Sequence, residues 1–98
     1  MGEVRVVIME VIITPEAQED FDGIFNYISK DGVEIALSQI NNIRRKIDML
    51  GGMPNIGKRH KKLRVTVSGN YRVFYHIINN KVFVIRILHG KMKSEKIL

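Results

Sequence analysis

The stretch Tyr71–Lys91, YRVFYHIINNKVFVIRILHGK, decides how this chain is read. Two runs rich in β-branched and aromatic residues flank Asn79-Asn80. Asn tolerates positive φ, so this pair suits a two-residue type I′ turn, which needs positive φ at both central positions. The turn predicts a hairpin of strands Tyr71–Ile78 and Lys81–Leu88, pairing Ile77 with Val82, Tyr75 with Val84 and Val73 with Arg86. Upstream, Lys62–Val67 reads as a further strand. A three-residue loop at Ser68-Gly69-Asn70, with a glycine bulge, would pair Val67 with Tyr71, Val65 with Val73 and Leu63 with Tyr75.

Strand side chains alternate between faces. This register gathers Leu63, Val65, Val67, Tyr71, Val73, Tyr75, Ile77, Val82, Val84 and Leu88 on one face, a core face. The other carries Lys62, Arg64, Thr66, Arg72, Phe74, His76, Phe83, Ile85, Ile87 and His89. That mixture of cations and apolar side chains is the pattern of a binding surface. Arg86 falls among the core residues and is expected to snorkel from a strand end.

The N-terminal half supplies what covers the core face. Val4–Thr14 is rich in Val and Ile and reads as a strand. Met9 is an alternative start, which would make residues 1–8 an extension. Thr14-Pro15-Glu16 places an N-cap, a first-turn proline and a first-turn acid in order. Ala17, Phe21, Ile24, Phe25 and Ile28 then recur at helical spacing until Lys30-Asp31-Gly32. A second helix is predicted over Val33–Leu50, because Ala36, Ile40, Ile43, Ile47 and Leu50 form one seam. Gly51-Gly52 is read as its left-handed end and Met53–His60 as a loop. The order β-α-α-β-β-β predicts a single α+β domain over residues 1–98. Its two layers are an antiparallel helical hairpin and a largely antiparallel sheet, ending in a three-stranded meander.

Composition narrows the function. The 98 residues contain no Cys, which excludes disulfides, thiolate zinc sites and Cys nucleophiles. No apolar run approaches the roughly 20 residues of a membrane span. No signal-peptide pattern is present, so a cytoplasmic protein is expected. The net charge of +6 is unevenly distributed: residues 1–43 carry two basic and eight acidic side chains, residues 44–98 fourteen and two. A basic working surface facing nucleic acid or an acidic protein follows from that asymmetry. The run Lys58-Arg59-His60-Lys61-Lys62 suits phosphate contacts or an acidic partner segment. No metal-ligating cluster, phosphate-binding glycine loop or Ser/His/Asp set is evident, and no cofactor or metal is expected.

Several strings, taken together, resemble the RelE/ParE superfamily of type II toxins. They are Ile12–Gln18 (IITPEAQ), Tyr27-Ile28, Pro54 to Gly57, Leu63-Arg64, Tyr71-Arg72-Val73-x-Tyr75 and Arg86-Ile87-x-His89-Gly90-Lys91. The likeness covers about residues 9–93, and the helical hairpin with a His-Gly-basic ending is more similar to the ParE branch. The resemblance implies a cytoplasmic toxin neutralised by a ParD-like antitoxin, which wraps it with a helix and an extended segment. It also implies one of two targets: DNA gyrase, inhibited by binding, or ribosome-bound mRNA, cut by RelE-type members.

Metal-free RNA cleavage needs a base, cations around the phosphorane and an acid for the leaving oxygen. Under the RelE alternative Arg72, Lys62, Arg64 and His89 would supply these. RelE-type enzymes carry an Arg shortly after Gly-Lys and a Tyr near the C-terminus. Here Met92 follows Lys91, and Lys93–Leu98 lacks Tyr. A ParE-like gyrase inhibitor is therefore the favoured reading. The expected contact residues for antitoxin or target are Lys61, Lys62, Arg64, Arg72, Phe74, Phe83, Ile85, His89 and Lys91.

Overall fold

A computed structural model of the chain describes residues 8–91. The elements are β1 (Glu10–Ile13), α1 (Pro15–Ile28), α2 (Val33–Gly52), β2 (Lys58–His60), β3 (Leu63–Ser68), β4 (Tyr71–Ile78) and β5 (Lys81–His89). The first part of the expected Val4–Thr14 strand, the residues ahead of Ile8 and the tail from Met92 lie outside the described residues. The strands form one five-stranded sheet in the order β1-β5-β4-β3-β2. β1 runs parallel to β5, and the other neighbours are antiparallel. The sheet is thus mixed, and β2 occupies what the sequence suggested was loop.

Local chemistry explains the helices. The Thr14 hydroxyl accepts from the Ala17 N–H at 3.3 Å and donates to the Val84 carbonyl at 2.8 Å. One side chain thereby caps α1 and ties its start to β5. Ala17, Phe21 and Ile28 of α1 and Ala36, Ile40, Ile43, Ile47 and Leu50 of α2 are all buried, as their spacing requires. They pack on Tyr71, Val73, Tyr75, Val82, Val84 and Ile87 to form the main core.

α2 continues through Gly51 and Gly52 instead of ending before them. Gly51 is needed for a close approach: a Cβ there would lie 2.7 Å from the Met9 carbonyl oxygen and 3.2 Å from an Ile8 methyl. The Met9 N–H donates to the Gly51 carbonyl at 2.8 Å. Gly57 meets the same restriction against the Tyr75 hydroxyl, 2.6 Å from a built Cβ. That buried hydroxyl donates to the Pro54 carbonyl at 2.7 Å and accepts from the Gly57 N–H at 2.9 Å, pinning the segment between α2 and β2.

The Asn79-Asn80 turn has φ of 52° and 60°, as a type I′ turn demands. The other tight connections change the expected faces. β3 and β4 pair Ser68 with Tyr71, Thr66 with Val73 and Arg64 with Tyr75, leaving a two-residue turn at Gly69-Asn70. Gly69 takes φ of 57° at the first turn position. The register is one residue away from the expected one, so every β3 side chain changes face. Leu63 and Val65 join Phe74, Leu88 and Ile85 in a second, smaller cluster on the sheet face away from the helices. Thr66 is buried on the helix side.

A second departure is a bulge in β5. Tyr75 pairs with Val84 as expected, but Phe74 pairs with Arg86 and Val73 with Ile87, so Ile85 is the extra residue. Beyond it Ile87 enters the main core and His89 comes opposite Tyr71, whereas Leu88 moves to the far face. Arg86 does not snorkel to solvent. Its Nε and Nη2 donate to the Asp20 carboxylate of α1 at 2.8 and 3.0 Å, and the Ile87 N–H donates to the same carboxylate at 2.9 Å. β1 pairs with β5 only as far as Val84, so Asp20 satisfies an amide that would otherwise face a bare strand edge.

Asp20 is largely buried, with 14% of its side chain exposed. Asp20→Ala strips the guanidinium and the Ile87 amide of their acceptor at once. It should cost about 2–3 kcal/mol in urea denaturation, whereas a loss below about 0.5 kcal/mol, the range of ordinary surface changes, would show that the carboxylate does not hold α1 to the sheet.

Candidate functional site

A concavity follows from where β1 stops. Past Val84 the outer edge of β5 has no neighbouring strand among the described residues, and α1 crosses above it. Between them lies a cleft of about 510 Å³. Gly23, Ile24 and Tyr27 of α1 form one wall and Tyr71, Ile87 and His89 of the sheet the other, with the Asp20–Arg86 pair at its end. Gly23 has no side chain to fill the space, and a Cβ there would touch nothing within 4 Å. Tyr27 is 68% exposed, and Lys30 lies 5.9 Å from its ring centroid. His89 meets Tyr71 edge-on at 5.4 Å, and its Nδ1 accepts the Lys91 N–H at 3.2 Å.

The cleft continues round the end of the sheet. A shallower groove of about 370 Å³ shares Tyr71, His89 and Lys91 with it and adds Val67, Asn70 and Arg72. The guanidinium carbon of Arg72 lies 5.4 Å from the Phe74 ring centroid. The composite surface is apolar and aromatic at its centre, with Arg72 and Lys91 at the groove end of its rim and Glu19 on the α1 side. Such a surface suits a peptide with apolar anchors and acidic flanks. Among the described residues no three His, Asp or Glu side chains gather where they could hold a metal.

The structure brings Arg72, His89 and Lys91 to this groove and sends the other expected contact residues elsewhere. Arg64 points to the helix side with its partner Tyr75, and its Nη1 donates to the Gly57 carbonyl at 2.9 Å. Arg72 pairs with Val67 on the opposite side, about 10 Å further along the sheet at three residues of strand rise. The expected shared cationic face, with Arg64 beside Arg72, is therefore not formed. Lys61 and Lys62 form the exposed β2–β3 turn, Lys61 with φ of 55°. Phe74 is only 1% exposed, covered by Leu63 and Leu88 of the same chain, and offers a partner almost no surface. Ile85 packs against that cluster, and Phe83 meets His76 edge-on at 5.9 Å. Tyr27 and Ile24 line the cleft without having been singled out as expected contact residues, because the seam of α1 carries no sign that β1 stops pairing with β5 at Val84.

The architecture, a helical hairpin packed on a five-stranded mixed sheet, is shared with solved structures. A chromosomal ParDE toxin–antitoxin system from P. aeruginosa superposes with a TM-score of 0.75 at 19% identity, covering 84% of this chain and 96% of that one. The E. coli toxin RelE, as a mutant in the free state, gives 0.63 at 14% identity, covering 92% and 90%. The toxin–antitoxin complex RelBE2 from Mycobacterium tuberculosis gives 0.56 at 24% identity, covering 85% and 99%. In sequence the chain is 30% identical to toxin ParE1 of Caulobacter vibrioides over 87 residues, 84% of this chain and 90% of that protein. It is 31% identical to toxin ParE3 of the same organism, covering 84% and 87%. Residues 11–94 match the family described as the ParE toxin of the type II toxin–antitoxin system parDE. The chain belongs to the ParE toxin family, within the RelE/ParE superfamily.

Burial raises the Tyr71 phenol above its ordinary value of 10.0, and neighbouring Tyr27 adds to the rise. The folded protein then holds this proton more tightly than the unfolded chain. The resulting stability is complete below the unfolded value and is lost as pH climbs through the folded one. Urea midpoints measured from about pH 9 to about pH 11 should fall less steeply in Tyr71→Phe than in wild type. Parallel curves would show that the cleft wall does not shield Tyr71.

Proposed function

We propose that the protein is the toxin of a ParDE-type pair, which inhibits DNA gyrase by binding it and is held inactive by a cognate ParD-like antitoxin. Membership of the ParE family supports this reading. The observation that carries it is that Arg72 and His89 lie on a different surface from Lys62 and Arg64, so the four residues of the nuclease alternative do not converge on one site. Phosphodiester cleavage without metal needs several charged groups around one phosphate. Arg64 and Arg72 face opposite ways, and Lys62 sits at the far end of β3 from the groove that holds His89. A surface that binds a protein has no such requirement. The cleft over the bare β5 edge suits the antitoxin, with an extended segment along Ile87–His89, apolar side chains between Tyr27 and Tyr71, and acidic groups toward Arg72 and Lys91. The P. aeruginosa and M. tuberculosis structures are of toxin–antitoxin systems, which supports an antitoxin partner for this chain.

Purified toxin should stall supercoiling by gyrase, added antitoxin should restore it, and ribosome-bound mRNA should stay intact. Ribosome-dependent mRNA fragments that disappear in Arg72→Ala, with supercoiling unaffected, would instead establish the RelE-type nuclease.

A further inference from the structure

A second polar concavity lies at the other end of the sheet, away from the cleft and its groove. β4 runs on to Ile78, whereas its pairing with β3 stops at Arg64–Tyr75. The β2–β3 turn folds over the uncovered end and leaves a notch of about 200 Å³. Arg59, Lys62 and Arg64 line it, with His76, Leu63 and Ile77 completing the walls. Arg59 and Arg64 are direct cross-strand partners. Like charges directly opposite on a sheet destabilise it, yet the ion pairs among the described residues, Lys81–Glu10 and Arg86–Asp20, involve neither arginine. Among the described residues this cationic pair has no carboxylate partner, and Arg64 donates to the Gly57 carbonyl at the edge of the recess.

We infer that this notch is an anion site for a terminal phosphoryl group, of a free nucleotide or of a nucleic-acid end. Two guanidiniums and an ammonium match the near-double charge and three acceptor oxygens of such a group better than one carboxylate. The recess is smaller than the roughly 300–1,000 Å³ of sites for drug-sized ligands. It is therefore of a size for one headgroup. The inference goes beyond the gyrase reading and holds whatever the target of the toxin is.

Pyrophosphate is the probe, compared with chloride at equal ionic strength. Its binding should raise the thermal midpoint of the full chain by mass action. Arg59→Gln removes the opposed charge, so its midpoint in chloride should exceed that of wild type, while its affinity for pyrophosphate falls about tenfold or more. Lys62→Gln should lose affinity in the same way, and Arg45→Gln, on exposed α2, should respond like wild type. A 5′-phosphorylated oligonucleotide should bind more tightly than its unphosphorylated twin if the source is a nucleic-acid end, and no better than the twin if only free nucleotides enter. Pyrophosphate responses that are unchanged in both Arg59→Gln and Lys62→Gln would overturn the site. So would equal binding of a glutamate-rich peptide of matched charge.

Discussion

The two residues that join β3 to β4 fix which cations share a side of the sheet. Because side chains alternate, one residue more or less in the turn exchanges the two faces of β3 completely. With Gly69-Asn70 as the whole turn, Arg64 projects toward the helices, where it bonds the Gly57 carbonyl, and Leu63 and Val65 cover Phe74 on the far side. Burial of a side chain such as Leu63 or Phe74 is worth about 1.5–3 kcal/mol. The alternative register would expose Phe74 and place Leu63 and Val65 toward the helices. The observed one builds apolar clusters on both sheet faces at the cost of burying Thr66. It also divides the basic C-terminal half of the chain between two surfaces, one rimmed by Arg72 and Lys91 and one lined by Arg59 and Arg64.

The bulge at Ile85 and the carboxylate of Asp20 complete this arrangement. Asp20 sits on the apolar stripe of α1, one position before Phe21, and Arg86 sits within an apolar strand. Each is a misfit alone. Together they form a partly buried pair that also receives the Ile87 amide, so a helix side chain takes over where β1 ends. The Arg86 guanidinium is held even more firmly protonated by its hydrogen bonds to Asp20. Among the described residues β1 leaves the β5 edge open past Val84, and α1 roofs it, which together make the aromatic cleft.

Much of the fold was legible because it rests on local chemistry. Thr14 and Pro15 mark the start of α1, the spacing from Ala36 to Leu50 marks the seam of α2, and Asn79-Asn80 marks the β4–β5 turn. The strings from Ile12 to Lys91 also pointed to the toxin superfamily. What escaped depends on contacts between distant segments. Gly51 reads as a helix terminator until Met9 is seen against its backbone, and Tyr75 reads as a plain core residue until its hydroxyl meets Pro54 and Gly57. Ser68-Gly69-Asn70 is compatible with a two- or three-residue turn, and both faces of β3 carry enough apolar residues to pass as core. The candidate site was legible only at its Arg72–His89–Lys91 rim. Tyr27 and Ile24 enter it through the parallel pairing of β1 with β5, which no local motif announces.

The division of cations between the two faces rests on the β3–β4 register, and interstrand nuclear Overhauser contacts in the full-length protein report that register directly. The account predicts contacts placing Ser68 opposite Tyr71, Thr66 opposite Val73 and Arg64 opposite Tyr75. Contacts placing Val67 opposite Tyr71 and Leu63 opposite Tyr75 would return Arg64 to the side of Arg72, dissolve the notch and contradict the account.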